Sequence, residues 1–183
     1  MSLPQHELES IDHLMLVLGA GHELFDGDPV DLLDHALQCA AELRARRPDD
    51  EEMQVAGLVH DIGHHLVPGD DAGHGVNARV AIGALLGDRV GALVEQHVPA
   101  KRYLVATDPA YSAVLSEASV RTLGNQGGTM TDDELAAYEA LPHWTDSLEV
   151  RRADDAAKVP GRVVPDLQSW RPVLERVAAS ARR

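Results

Sequence analysis

At 183 residues the chain has the length of one domain, and with 44% hydrophobic but only 3% aromatic residues its core must be built from Ala, Leu and Val. A formal net charge of −14 sets the chain against nucleic acid and anionic membrane surfaces. No run is long enough to span a bilayer, the N-terminus lacks a secretory pattern, and the single cysteine, Cys39, permits no internal disulfide, so a cytoplasmic protein is expected.

In chain order, DGDPVDLLDHALQCAAELRARR reads as a helix with Asp28 as N-cap, Pro29 at the first helical position and a basic end that suits the helix dipole. DDEEMQVAGLVHDIGHH reads as a second helix, with Gly63 near its end. After the loop GDDAG, HGVNARVAIGALL and DRVGALVEQHV form a helical pair broken at Gly87-Asp88. SEASVRTLGNQGG is a short helix running into a glycine-rich loop, and TMTDDELAAYEAL carries a Thr131–Glu134 capping box. HWTDSLEVRRADDAAK is the last core helix, and LQSWRPVLERVAAS follows a proline-rich turn. No alternating run appears, so the fold is expected to be all-α.

Six polar groups conflict with this apolar pattern. His35, His60, Asp61, His74 and His97 fall on successive helical segments, and Asp154 lies on a later one. Singly, each histidine is better read as a hydrogen-bonded core residue or a helix-end group favoured by the dipole. Together, four imidazoles and two carboxylates can hold two closely spaced transition-metal ions, and burying them without metal would be costly. Asp61 is the natural bridge, because it follows His60 directly and adjacent helical positions diverge by about a third of a turn. One ion would take His35, His60 and Asp154, and the other His74 and His97. In a chain this acidic, an anionic substrate would need a local island of Lys and Arg, and Lys101-Arg102 and Arg151-Arg152 lie beside the proposed ligands.

HALQCA, GLVHDIGHHL, HGVNARVAIGALL, LVEQHVPAKRYL, LSEASVRTLGNQGG and RRADDAAK together resemble the PhnZ/TmpB group of the HD-domain superfamily, with myo-inositol oxygenase a more distant relative. HDxGH marks only the superfamily; the later motifs are more specific. The resemblance implies one HD-type helical bundle over residues 1–183, with a metal and substrate core at about 28–158 and a C-terminal helix at about 166–180. It implies an O2-dependent oxygenase with an Fe(II)/Fe(III) pair, which cleaves the carbon–phosphorus bond of a small 1-hydroxyphosphonate to phosphate and a carboxylic acid. By that resemblance His35, His60, Asp61 and Asp154 hold one iron, and Asp61, His74 and His97 the other, with Asp155 the alternative to Asp154.

Carried over in the same way, Lys101, Ser119 and Arg151 contact the phosphonate without holding metal, His64 contacts substrate, and Gln126 is a weaker contact. His64 and Lys101 are the candidate catalytic groups. Asp28 matches the group's acid near a substrate amine, although an N-cap role serves it equally well. Phe25 stands where the group has an iron-binding tyrosine, so one iron should have an open position. Tyr103 reads as packing. The competing readings are an HD phosphohydrolase, with metal-activated water attacking a phosphate ester, and a metal-binding domain without catalysis.

Overall fold

A computed structural model describes residues 7–183; the first six residues of the expected 1–183 domain lie outside them. Ten α-helices and one 3-10 turn make up the regular structure among the described residues, with no strand. They are α1 Ile11–Gly19, α2 Leu32–Arg46, α3 Glu51–Val59, α4 Ile62–Leu66 and α5 His74–Leu86, then α6 Asp88–Thr107, α7 Glu117–Asn125, α8 Asp132–Glu139, α9 Trp144–Ala156 and α10 Leu167–Ala181. The 3-10 turn, Tyr111–Val114, joins α6 to α7. The all-α expectation holds, and among the described residues no helix is long and apolar enough to cross a membrane.

The centre is α3, buried from Met53 to Val59 and packed on α2, α6, α9 and α10. Its small side chains let neighbours come close. At Gly57 a Cβ would stand 2.5 Å from Leu43 Cδ1 and 3.2 Å from Cys39 Sγ, so a larger residue there would force the Leu43 side chain to shift and α2 to move slightly off α3. Leu43, Leu58, Leu86, Leu93 and Leu174 are fully buried around it, each worth about 1.5–3 kcal/mol in burial. Trp170 is completely enclosed, with Arg44 stacked 4.3 Å above its ring. Tyr103, Tyr138 and Trp144 make a smaller second cluster with Ala100 and Met130.

Four elements differ from the sequence expectation, one of them α6, which runs through Pro99 to Thr107 instead of ending at Val98. The first long helix starts at Leu32, not near Pro29, because Asp31 rather than Asp28 caps it, accepting from Asp34 N at 2.8 Å. The second does not run through His64: it ends at Val59 and restarts as α4, with Asp61 at φ −98°, ψ 7° between them. The break lets α4 turn against the start of α5, where a Cβ on Gly63 would meet the His74 carbonyl oxygen at 2.0 Å. Helix α1, capped by Ser10, was not foreseen and packs on α10. The Thr131–Glu134 capping box and the Gly87 break, at φ +92°, are found where expected.

Candidate metal centre

The packing of α2 on α3 and α9, and of α5 on α6, carries polar groups from five segments to one point. His35 comes from α2, His60 and Asp61 from the α3–α4 break, His74 from the first residue of α5, His97 from α6 and Asp154 from α9. The four histidines and Asp154 are at most 6% exposed.

All four imidazoles are fixed the same way. His60 Nδ1 donates to Gly57 O at 2.8 Å, His74 Nδ1 to Asp71 O at 2.8 Å and His97 Nδ1 to Val94 O, each a carbonyl three residues back; His35 Nδ1 donates to Ala157 O at 2.9 Å. With Nδ1 carrying the proton, every Nε2 lone pair is aimed inward. His35 and His60 then face each other across 3.2 Å, and His74 and His97 across 2.9 Å. Two lone pairs at that separation repel unless a cation lies between them.

Asp61 divides its carboxylate between the two pairs. Oδ2 lies 3.4 Å from His35 Nε2 and 3.2 Å from His60 Nε2, while Oδ1 lies 3.4 Å from His74 Nε2 and 3.5 Å from His97 Nε2. Two triads of potential ligand atoms result, His35–His60–Asp61 and Asp61–His74–His97, with Asp61 common to both. Asp154 Oδ1 adds to the first, 3.2 Å from His35 Nε2 and 3.9 Å from His60 Nε2. Asp155 points elsewhere, to Arg151 and the Tyr111 hydroxyl. Nitrogen and carboxylate donors in this arrangement fit a pair of transition-metal ions.

The two halves differ in charge. Burial opposes protonation of His35, but the Asp154 and Asp61 carboxylates outweigh it and raise its pKa to about 10, so this half favours a positive charge, which a bound metal ion would supply in place of a proton on Nε2. Burial dominates at His97 and, against the hydrogen bond to Asp61 and with the neighbouring His74 and His60 adding to it, drives its pKa down to about 4. That half offers bare nitrogen.

A cavity of about 400 Å3 opens from the cluster to the surface. His64, on α4, lies in its wall with its ring stacked on His74 at 4.0 Å, and burial lowers its pKa. Lys101 is one turn beyond His97 and 2% exposed; its Nζ donates to Thr122 Oγ1 at 2.9 Å and Ser119 O at 3.4 Å. Arg151, 4% exposed, donates through Nη2 to Ser119 Oγ at 3.3 Å and through Nε to Tyr111 Oη at 2.9 Å, while Nη1 lies 2.6 Å from Asp154 Oδ2. The Lys and Arg island therefore exists inside an acidic molecule. Gln126 also lines the cavity; its Nε2 donates to Asp71 O at 3.1 Å, and its Oε1 is buried with no partner. Phe25 sits on the wall, 63% exposed.

Asp28 lines the cavity instead of capping α2, and its Oδ2 lies 2.7 Å from Lys158 Nζ. Lys158, Thr122 and Arg121 are wall residues that the sequence reading missed. A signal existed for two of them: Thr122 is one turn beyond Ser119, and Lys158 one turn beyond Asp154. Tyr103 is not at the cavity; its hydroxyl donates to Glu139 Oε1 at 2.8 Å within the second cluster.

No family model matches the chain. Curated relatives do. A hydroxymethylphosphonate dioxygenase from Gimesia maris is 35% identical over 184 residues, covering 96% of this chain and 91% of the relative. A glycine-betaine-forming 1-hydroxy-2-(trimethylamino)ethylphosphonate dioxygenase from Leisingera caerulea is 33% identical, covering 86% and 84%. An uncharacterized protein of Acanthamoeba polyphaga mimivirus is 30% identical, covering 81% and 72%.

Proposed function

The chain belongs to the PhnZ/TmpB-type family of phosphonate dioxygenases, and on that premise we propose that it is an HD-domain diiron oxygenase that uses O2 to cleave the carbon–phosphorus bond of a small 1-hydroxyphosphonate, releasing phosphate and a carboxylic acid. One observation carries the reading: a carboxylate split between two histidine pairs, at the foot of a cavity lined by buried cations. In this reading His35, His60, Asp61 and Asp154 hold one iron and Asp61, His74 and His97 the other, as an Fe(II)/Fe(III) pair. Residues 1–183 act as a single unit around that pair.

Bound iron would activate O2 and offer positions to the hydroxyl and phosphonate oxygens, while the electrons that reduce O2 come from the substrate, whose carbinol carbon is oxidised to the carboxylic acid as the carbon–phosphorus bond breaks. The chain does the rest. Lys101, Arg151 and the Ser119 hydroxyl hold the phosphonate, the two cations through charge-assisted hydrogen bonds that fix the carbinol carbon toward the histidine cluster. His64, kept neutral by burial, offers a ring nitrogen able to take the proton of the substrate hydroxyl. Gln126 Oε1, buried without a partner, is available to a substrate donor.

The test is anaerobic purification with metal analysis and electron paramagnetic resonance, followed by O2 consumption and phosphate release with hydroxymethylphosphonate. Phosphate release from a phosphate ester without O2 would favour the phosphohydrolase instead. Inertness with metal retained would favour a non-catalytic domain.

The pH dependence of substrate binding follows from Lys101. Burial, then the charge of Arg151, lowers its pKa to about 8. The protonated form binds the anion, so affinity should hold below that value and weaken as pH rises through it, by up to about tenfold per unit. Profiles of the Michaelis constant for wild type and Lys101→Met check this: the alkaline limb should vanish in the variant, and a limb that persists assigns it to another group.

A second expectation concerns Phe25. No tyrosine lines the cavity among the described residues, and Tyr111 spends its hydroxyl on Asp155 and Arg151. Iron-loaded wild type should lack a tyrosinate-to-iron charge-transfer band, whereas Phe25→Tyr should gain one that substrate abolishes. A band in wild type, or none in a fully loaded variant, would remove Phe25 from the iron's neighbourhood.

A further inference from the structure

Tyr111 lies outside the substrate cavity, yet it touches a cation that faces into it. The residue opens the 3-10 turn between α6, which carries Lys101, and α7, which carries Ser119. Its side chain is buried but belongs to neither apolar cluster of the core. The hydroxyl accepts from Arg151 Nε at 2.9 Å and donates its one hydrogen to Asp155 Oδ2. Tyr111 and Asp155 border a second cavity, of about 380 Å3, that neither Arg151 nor any histidine lines.

A guanidinium holds its five N–H donors in a rigid fork, so fixing some of them aims the rest. Asp155 takes one edge of the Arg151 group, with Oδ1 on Nη2 and Oδ2 at 3.2 Å from Nε. Asp154 Oδ2 lies 2.6 Å from Nη1. All three residues stand on α9, with Arg151 and Asp155 one helical turn apart, so the pair can swing together about its side-chain torsions unless something off that helix holds it. Two groups off α9 touch the guanidinium. Ser119 Oγ accepts from Nη2 at 3.3 Å and also receives Lys158 at 3.1 Å, whereas Tyr111 Oη is closer and engages both members of the pair.

We propose that Tyr111 is a positioning residue for phosphonate binding: its hydroxyl anchors the Arg151–Asp155 pair from outside the cavity, so that the remaining Nη1 hydrogen meets the phosphonate. The proposal rests on the hydroxyphosphonate reading above and adds to it a residue that touches neither substrate nor metal.

Tyr111→Phe tests it, because the ring stays and no charge changes. On metal-loaded protein without O2, dissociation constants are measured for hydroxymethylphosphonate, for inorganic phosphate and for azide, which binds a metal ion directly and needs no guanidinium. The variant should keep wild-type metal content and azide affinity while the two phosphorus anions bind about threefold to tenfold more weakly, the scale of one lost hydrogen bond. In turnover the Michaelis constant should rise with kcat nearly unchanged. Should Tyr111→Phe not fold, Asp155→Asn is the second test. Losing a negative charge beside Arg151 would by itself tighten anion binding, so weaker binding of the phosphorus anions supports positioning and tighter or equal binding overturns it. Unchanged phosphorus-anion constants in Tyr111→Phe, or a loss of metal and azide affinity alongside them, overturn the proposal and leave phosphonate cleavage standing. If wild type binds inorganic phosphate but neither binds hydroxymethylphosphonate nor releases phosphate from it, the functional reading falls, and the phosphate constants still decide whether Tyr111 anchors Arg151.

Discussion

Asp61→Ala should empty both halves of the histidine cluster and reduce O2-dependent phosphate release to background. Each Asp61 oxygen faces a different histidine pair, at 3.2–3.4 Å on one side and 3.4–3.5 Å on the other, so no other single side chain serves both. Removing groups that merely orient metal ligands costs about 10–100-fold in affinity or activity, and loss of a shared ligand should exceed that. His97→Ala is the control, since it takes one nitrogen from the His74 half and leaves the His35–His60–Asp154 set whole. Metal content per chain, read beside helical circular dichroism, separates the cases. Wild-type metal content in Asp61→Ala would overturn the bridging assignment, whereas loss of both ions in His97→Ala would mean the halves cannot load independently.

The fold and the cluster were legible in the sequence for the same reason. Histidines and acids placed on apolar helical segments violate the burial pattern, and a violation repeated on several segments has few physical solutions. The helix boundaries set by local chemistry, Thr131 with Glu134 and Gly87, also read correctly because the cap or the positive φ belongs to the residue itself. What failed depended on long-range contacts. GLVHDIGHH keeps helical periodicity straight through Asp61, and only the approach of the His74 carbonyl to Gly63 shows why the chain breaks there. Asp28 looked like a cap because an Asp-Pro start suits one. Asp31 takes that role, collecting Asp34 N, Glu23 N and the His22 ring, and leaves Asp28 to Lys158. Lys158 drew no reading of its own, since a basic residue at a helix C-terminus is a common solvated position. Its partner lies 130 positions back in sequence, and nothing local points to it.

Arg151 and Lys101 look alike in sequence, as two cations beside metal ligands, yet their removal should have different consequences. Arg151 is an ion-pair centre: Nη1 holds Asp154 Oδ2 at 2.6 Å while Oδ1 of the same carboxylate faces His35, Nη2 donates to Asp155 and Ser119 and Nε to Tyr111, which leaves one Nη1 hydrogen for the phosphonate. Arg151→Ala would leave Asp155 without its paired cation and Asp154 with only His35 and the more distant Lys158, and removing one partner of a buried ion pair typically costs about 3–5 kcal/mol. The expected result is a lower melting temperature, reduced metal in the His35 half and loss of substrate binding together, against the sequence-based expectation that metal would be spared. Arg151→Lys should recover little, because one ammonium cannot span Asp154 and Ser119 as the planar fork does. Lys101 touches only Thr122 Oγ1 and Ser119 O on the protein side, and burial already strains its charge. Lys101→Met should therefore keep full metal and unchanged or higher thermal stability while raising the Michaelis constant about tenfold to a hundredfold, the range for one hydrogen bond to a charged group. Metal analysis, thermal denaturation and steady-state kinetics on the two variants decide the matter: identical losses of metal would place Lys101 in the metal scaffold, and full metal in Arg151→Ala would show that Asp154 needs no partner to hold its position.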